Sequence, residues 1–181
     1  LFSWSGPASF LSAAQNPVRN NAQVNMSGTY TVTVTNASGC STTATVSAAV
    51  NSLPTAVATA IPSVACQGTL INLTASGGNN YLWSNSLGGG ASKAVTPSVS
   101  TTYTVTVTNA SGCTATATVA ATVNALPVAS ATINPSTACQ GTSFSLTASG
   151  GGTYAWSSGL GTGASKTVTP NITTTYTVTV T

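Results

Sequence analysis

Apolar and polar residues alternate along this chain with a period of two, in short runs broken by glycine, proline and asparagine. In 69–76, Ile71, Leu73 and Ala75 fall on one face, Asn72 and Thr74 on the other. Such alternation predicts a half-buried strand. Gly77-Gly78 ends it. Tyr81 and Trp83 then point one way and Leu82 the other. A glycine-rich stretch, Leu87-Gly88-Gly89-Gly90, leads to a short strand at 93–96 closed by Pro97. Next, Tyr103, Val105 and Val107 alternate with Thr102, Thr104, Thr106 and Thr108. Asn109-Ala110-Ser111-Gly112 fits a four-residue hairpin loop built on a type I turn, with Gly112 left-handed. Cys113, Ala115, Ala117, Val119, Ala121 and Val123 form the core face of the strand that follows. No stretch carries a helical period.

The whole pattern recurs. Tyr30, Tyr103 and Tyr176 are spaced by 73 residues, as are Cys40 and Cys113, Cys66 and Cys139, Trp83 and Trp156, and Lys93 and Lys166. Residues 51–108 and 124–181 agree at 39 of 58 positions. This period exceeds that of a solenoid repeat, at about 20–50 residues, and suits a small domain repeated in tandem. We expect the C-terminal part of one repeat at 1–53, a complete repeat at 54–126 and the N-terminal part of another at 127–181. Beginning and ending in mid-pattern, the chain reads as a window on a longer polypeptide. Trp4 lies 26 residues before Tyr30, whereas Trp83 and Trp156 lie 20 before theirs. The first repeat therefore carries a longer loop, around Asn16-Pro17.

Short strands with turn residues every 8–12 positions predict an all-β fold of tandem immunoglobulin-like antiparallel β-sandwiches, about seven strands each. Trp83, Tyr103, Trp156 and Tyr176 are the expected aromatic core. Tyr81 with Trp83 could instead form a sugar-stacking platform, but the placement of Trp83 in a strand favours the core.

Composition narrows the chemistry. The chain has 181 residues and no Asp, Glu or His; Arg19, Lys93 and Lys166 are its only basic residues, for a net charge of +3. Without those side chains there is no conventional general acid or base, no catalytic triad and no carboxylate calcium site. We expect no enzyme and no cofactor. Three scattered basic residues are no nucleic-acid footprint. No apolar run is long enough for a membrane-spanning helix. Lys93 and Lys166 read as solubilising residues. Threonine and serine supply 60 residues; the Thr-x-Thr runs at 102–108 and 114–118 read as solvated sheet faces, an ice-binding face being a distant alternative. Asn-x-Ser/Thr triplets begin at Asn25, Asn36, Asn72, Asn109 and Asn171, a frequency that this composition produces by chance.

Each repeat holds two cysteines. With no His and no CxxC, metal binding is disfavoured. Pairing Cys66 with Cys113 would staple a small core, and Cys40 and Cys139 would then pair outside 1–181. The alternative is a serial pairing, Cys40–Cys66 and Cys113–Cys139. Either implies an oxidising, extracellular setting.

Residues 65–69 (ACQGT), 73–78 (LTASGG), 81–84 (YLWS), 95–97 (VTP) and 101–113 (TTYTVTVTNASGC) together resemble the immunoglobulin-like or PKD-like tandem repeats of giant Bacteroidota surface proteins. Such proteins include type IX-secreted and gliding-motility adhesins. The resemblance spans essentially the whole chain. It implies a structural stalk or adhesive filament at the bacterial cell surface and no catalytic residues. The near-neutral surface and uncharged edge strands predict neighbouring repeats and further copies as partners. Surface glycans bound by loops at the repeat ends are the alternative partner.

Overall fold

The computed structural model describes residues 1–181. It consists of strands, with a single 3-10 turn at Val24–Met26. The first repeat supplies β1 (Phe2–Gly6), β2 (Phe10–Ser12), β3 (Gly28–Thr35) and β4 (Ser41–Ala48), in one sheet of order β2-β1-β3-β4. The β3–β4 hairpin sets Tyr30 opposite Val46 and Val32 opposite Ala44.

The second repeat adds β5 (Val57–Ile61), β6 (Val64–Cys66), β7 (Ile71–Ser76), β8 (Asn80–Trp83), β9 (Gly88–Gly89), β10 (Ser92–Val95), β11 (Thr101–Thr108) and β12 (Thr114–Asn124). These lie in two sheets, β10-β7-β5 and β6-β12-β11-β8-β9. Ile71 and Leu73 in β7 and Val105 and Val107 in β11 are fully buried, whereas Leu82 is 60% exposed. The period-two reading of these strands therefore describes their inner and outer faces.

The third repeat forms β13 (Ser130–Asn134), β14 (Phe144–Ser149), β15 (Tyr154–Trp156), β16 (Gly161–Thr162), β17 (Ser165–Val168) and β18 (Val178–Val180). The sheets β13-β14-β17 and β16-β15-β18 repeat the order of their counterparts in the second repeat. Leu146 and Ala148 from one sheet and Trp156 from the other share a core with Val168, with Tyr176 and Val178 packed against it. Two sheets closing on one apolar layer is the sandwich arrangement.

One pairing departs from the expected antiparallel pattern. β6 runs parallel to β12, with Val64, Ala65 and Cys66 opposite Thr122, Val123 and Asn124. After β5 the chain turns through Pro62-Ser63, where the Ser63 carbonyl accepts the Thr122 N–H at 2.8 Å. Proline fixes φ and has no N–H to give a ladder, so the strand breaks there and its continuation joins the other sheet.

By density of contacts the chain divides into two compact units. One comprises Leu1–Ile61, Asn72–Ala94 and Thr102–Ala120; the other comprises Pro62–Ile71, Val95–Thr101 and Ala121–Thr181. The second repeat contributes to both, so this division does not follow the 73-residue spacing.

Candidate functional site

The contacts that recur from repeat to repeat begin with the aromatic residues. Trp83 is 3% exposed and its indole N–H donates to the Gly90 carbonyl at 3.0 Å. Trp156 is 7% exposed and donates to Gly163 at 2.9 Å. Each glycine-rich stretch thus satisfies the one polar atom of the buried ring, as a desolvated indole requires. Tyr103 is 5% exposed, and Tyr176 is half-buried against its own core. The Tyr81 hydroxyl donates to the Gly78 carbonyl at 2.7 Å, and that of Tyr154 to Gly151 at 2.9 Å. With Trp83 buried and Tyr81 tied to its own turn, the pair presents no stacking platform.

Lys93 and Lys166 are half-buried, on the same strand faces as Val95 and Val168. The ammonium end of Lys93 lies beside Gly90 and that of Lys166 beside Gly161 and Gly163.

The longer loop of the first repeat is organised by Arg19, a role that sequence alone did not reveal. Its guanidinium donates to the Pro7 carbonyl at 2.9 Å and to the Tyr30 hydroxyl at 2.8 Å, and it lies 4.8 Å over the Phe10 ring. Tyr30 in turn donates to the Met26 carbonyl at 2.8 Å. The apolar face below holds Trp4 and Val46, whose counterparts in the second repeat are the buried Trp83 and the half-buried Val119. It lines a cavity with Phe10, Arg19 and Tyr30, and the buried Trp4 indole N–H has no hydrogen-bond partner there.

The segment joining successive repeats, 50–55, collects the polar contacts least expected from sequence. The Val50 N–H donates to the Ser27 hydroxyl at 2.8 Å. One repeat later, Val123 does the same with Ser100 at 2.9 Å. From the other side comes the hairpin 109–113. Asn109 Oδ1 accepts the backbone N–H groups of Ser111 and Cys113, both at 3.0 Å, and Gly112 takes φ +79°. The Asn109 side-chain amide is then free to donate to the Ser52 carbonyl at 2.8 Å. This use of the amide argues against Asn109 as a glycan acceptor. The Cys113 thiol points at the Asn51 carbonyl, Sγ to O 3.9 Å. Beyond the segment, Gly77 packs directly on the Thr55 carbonyl and Gly150 on that of Val128.

The cysteine expectation requires correction. Cys66 is the ladder partner of Asn124, while Cys113 directly precedes Thr114 at the opposite end of β12. The intervening strand measures roughly 36 Å at about 3.3 Å per residue. A disulfide needs Cα atoms within about 7 Å, so Cys66 cannot pair with Cys113 inside one repeat. Cys40, Cys66 and Cys139 are exposed and Cys113 is half-buried.

The strand order defines the class. One sheet holds the first, second and fifth strand positions; the other holds the third, fourth, sixth and seventh, with a short strand parallel to the last. This is the immunoglobulin-like sandwich, with Trp83 on the strand that carries the buried tryptophan and Tyr103 near the start of the sixth strand. Val105, two residues on, occupies the place of the usual inter-sheet cysteine, and it is fully buried.

No family model matches the chain, and no curated protein matches it. Among solved structures it is similar to that titled "Structure of amphioxus IgVJ-C2 molecule". The likeness covers 67% of this chain and 87% of that one at 18% identity, with a TM-score of 0.35. No helix is long and apolar enough to cross a membrane, which says nothing about a β-barrel.

Proposed function

We propose that the chain is part of a stalk or filament of tandem immunoglobulin-like repeats, displayed outside a bacterial cell as a segment of a large adhesin. The observation that carries this reading is the docking of the 109–113 hairpin onto the joining segment through Asn109 and Ser52. A joint hydrogen-bonded on both sides resists bending, which suits a load-bearing rod. Pro54 and Pro127 add to this, since proline restricts itself and its predecessor to extended backbone.

Association between copies follows from the edges. β5 ends its sheet, carries no charge and leaves Ile61 67% exposed. An uncharged edge lacks the usual guard against strand addition, and a net charge of +3 over 181 residues gives little mutual repulsion. Supporting the cell-surface setting is the resemblance of the repeat motifs to those of Bacteroidota surface proteins. The glycan-binding alternative has less support, because the aromatic residues are committed to the core and its margins.

Small-angle scattering and analytical ultracentrifugation of the full chain test the proposal together. A stalk gives a cross-section of one sandwich, a length proportional to repeat number and mass that rises with concentration. A compact, strictly monomeric particle overturns it.

A further inference from the structure

We propose that the first repeat holds a binding site for a small organic monocarboxylate with an aromatic or branched apolar body, in the cavity beside Trp4. The proposal does not depend on the stalk reading. It starts from an unpaired donor. Trp83 and Trp156 give their indole N–H groups to the carbonyls of Gly90 and Gly163. Trp4 is the corresponding residue of the first repeat, but no glycine carbonyl meets its ring. Trp83 faces Gly88 across its hairpin, whereas Trp4 faces Ser12. In place of Leu87-Gly88-Gly89-Gly90, the first repeat continues into Phe10-Leu11-Ser12 and then into a loop that the other repeats lack. The Trp4 indole nitrogen is nonetheless buried, and it makes no hydrogen bond. Leaving a buried donor unpaired is costly, so such a group calls for an explanation.

The surroundings of that donor are built for a ligand. Trp4 lines a cavity of about 470 Å³, within the range of small-molecule sites, roughly 300–1,000 Å³. Phe10, Tyr30 and Val46 give it apolar walls, and the long loop closes it with Pro17 and Arg19. Both hydrogen bonds of Arg19, to Pro7 and Tyr30, leave from Nη1, so Nη2 and Nε can donate to a ligand. The guanidinium carbon lies 4.8 Å from the Phe10 ring centre and 5.8 Å from that of Tyr30. Tyr30 is itself tied to the Met26 carbonyl. The charge is therefore held in place before any ligand arrives, which lowers the cost of binding. No Asp or Glu side chain exists on the chain to neutralise it.

These groups select the chemistry of the occupant. An indole N–H and a guanidinium donate and never accept, so what they hold is an acceptor, and beside a fixed cation it is an anion. One cation matches one negative charge. A carboxylate accepts two parallel hydrogen bonds from a guanidinium and keeps lone pairs for a further donor such as the Trp4 N–H. The aromatic walls favour a ring or branched chain on the same molecule, through edge-to-face or offset contact. The site is reversible and non-covalent, and it belongs to the first repeat alone, since Trp83 and Trp156 have their acceptors in the protein.

The test is a titration of the full chain, labelled with nitrogen-15, with sodium 4-phenylbutyrate at pH 7 and constant ionic strength. The three tryptophans give three indole N–H cross-peaks, and the one missing from a Trp4→Phe variant belongs to Trp4. The expected result is that the Trp4 peak moves downfield and saturates at millimolar probe or below, while the peaks of Trp83 and Trp156 stay put. The neutral 4-phenylbutyramide, with the same body and no charge, should bind about tenfold more weakly or worse. Arg19→Gln should weaken the acid by a similar factor and leave the amide unchanged. Since the amide is tested on the unaltered chain, the charge requirement can be read even if Arg19→Gln disturbs the loop. A Trp4 peak unmoved at millimolar acid overturns the proposal, the cavity then holding water alone. Equal binding of acid and amide overturns it too, as does a like shift with inorganic phosphate, or movement of all three indole peaks together.

Discussion

Gly77 and Gly150 show how closely single residues determine this fold. Each takes φ +103°, and a Cβ at either would run into the carbonyl of Thr55 or Val128 at the start of its own repeat. Side chains are strained at that φ, and the obstructing atom is backbone, which cannot swing aside. Gly77→Ala is expected to destabilise by about 2 kcal/mol or more, read as a lower urea midpoint with unchanged slope. Alanine at Gly112, where nothing lies within 4 Å of the added carbon, costs only the strain of positive φ and shifts the midpoint less. Asn109 separates two roles within one side chain. Asn109→Asp keeps the acceptor for Ser111 and Cys113 but loses the donor to Ser52; Asn109→Ala loses both. Amide exchange around Ser52 should rise in both variants, while stability falls by about 1 kcal/mol in the aspartate variant and further in the alanine variant. Equal loss in both would show that the turn does not depend on the side-chain acceptor.

Among the elements, β6 is the one whose placement decides most and which the sequence announced least. It has three residues, too few to carry a period, and its partner strand lies 58 positions downstream. The longer strands were legible because alternation over six to eight residues assigns each side chain to a face. The hairpin at 109–112 was legible because Asn and Gly sit where its turn needs them. Core positions Trp83 and Tyr103 stand on alternating strands in the same way. The joining segment was not legible. Ser52 and Asn51 act through backbone carbonyls, which every residue has, and their partners are 57 and 62 residues away. The separation of Cys66 from Cys113 was hidden for the same reason: it depends on which sheet β6 joins. Arg19 could not be placed either, because its contacts with Pro7, Phe10 and Tyr30 arise from a loop with no copy in the other repeats. Gln67→Pro tests the β6 attachment. Thr69 donates to the Cys66 carbonyl at 3.1 Å with Gly68 at φ +84°, a turn that accepts proline at its second position. The substitution removes only the N–H given to Asn124. Amide exchange at Thr122 should quicken with a loss of about 1 kcal/mol; unchanged exchange would mean β6 is held by other contacts.

At the scale of the molecule, the missing charges change the response to solvent. Stability varies with pH only where folded and unfolded chains bind different numbers of protons. Asp, Glu and His, the side chains that titrate between roughly pH 3 and 7, are absent. The urea midpoint should therefore be the same at pH 4.5 and pH 7, and nearly indifferent to added salt. A midpoint that drops in acid would contradict this. The parallel pairing of β6 with β12 has a further consequence, under tension. β6 belongs to the part of its repeat nearer the chain's start, and β12 leads out to the next repeat. A pull along the polypeptide draws the two strands in opposite directions along their shared axis. Their hydrogen bonds lie across that axis, so the ladder is loaded in shear. Its bonds must give way together, whereas a hairpin pulled from its open end yields one bond at a time.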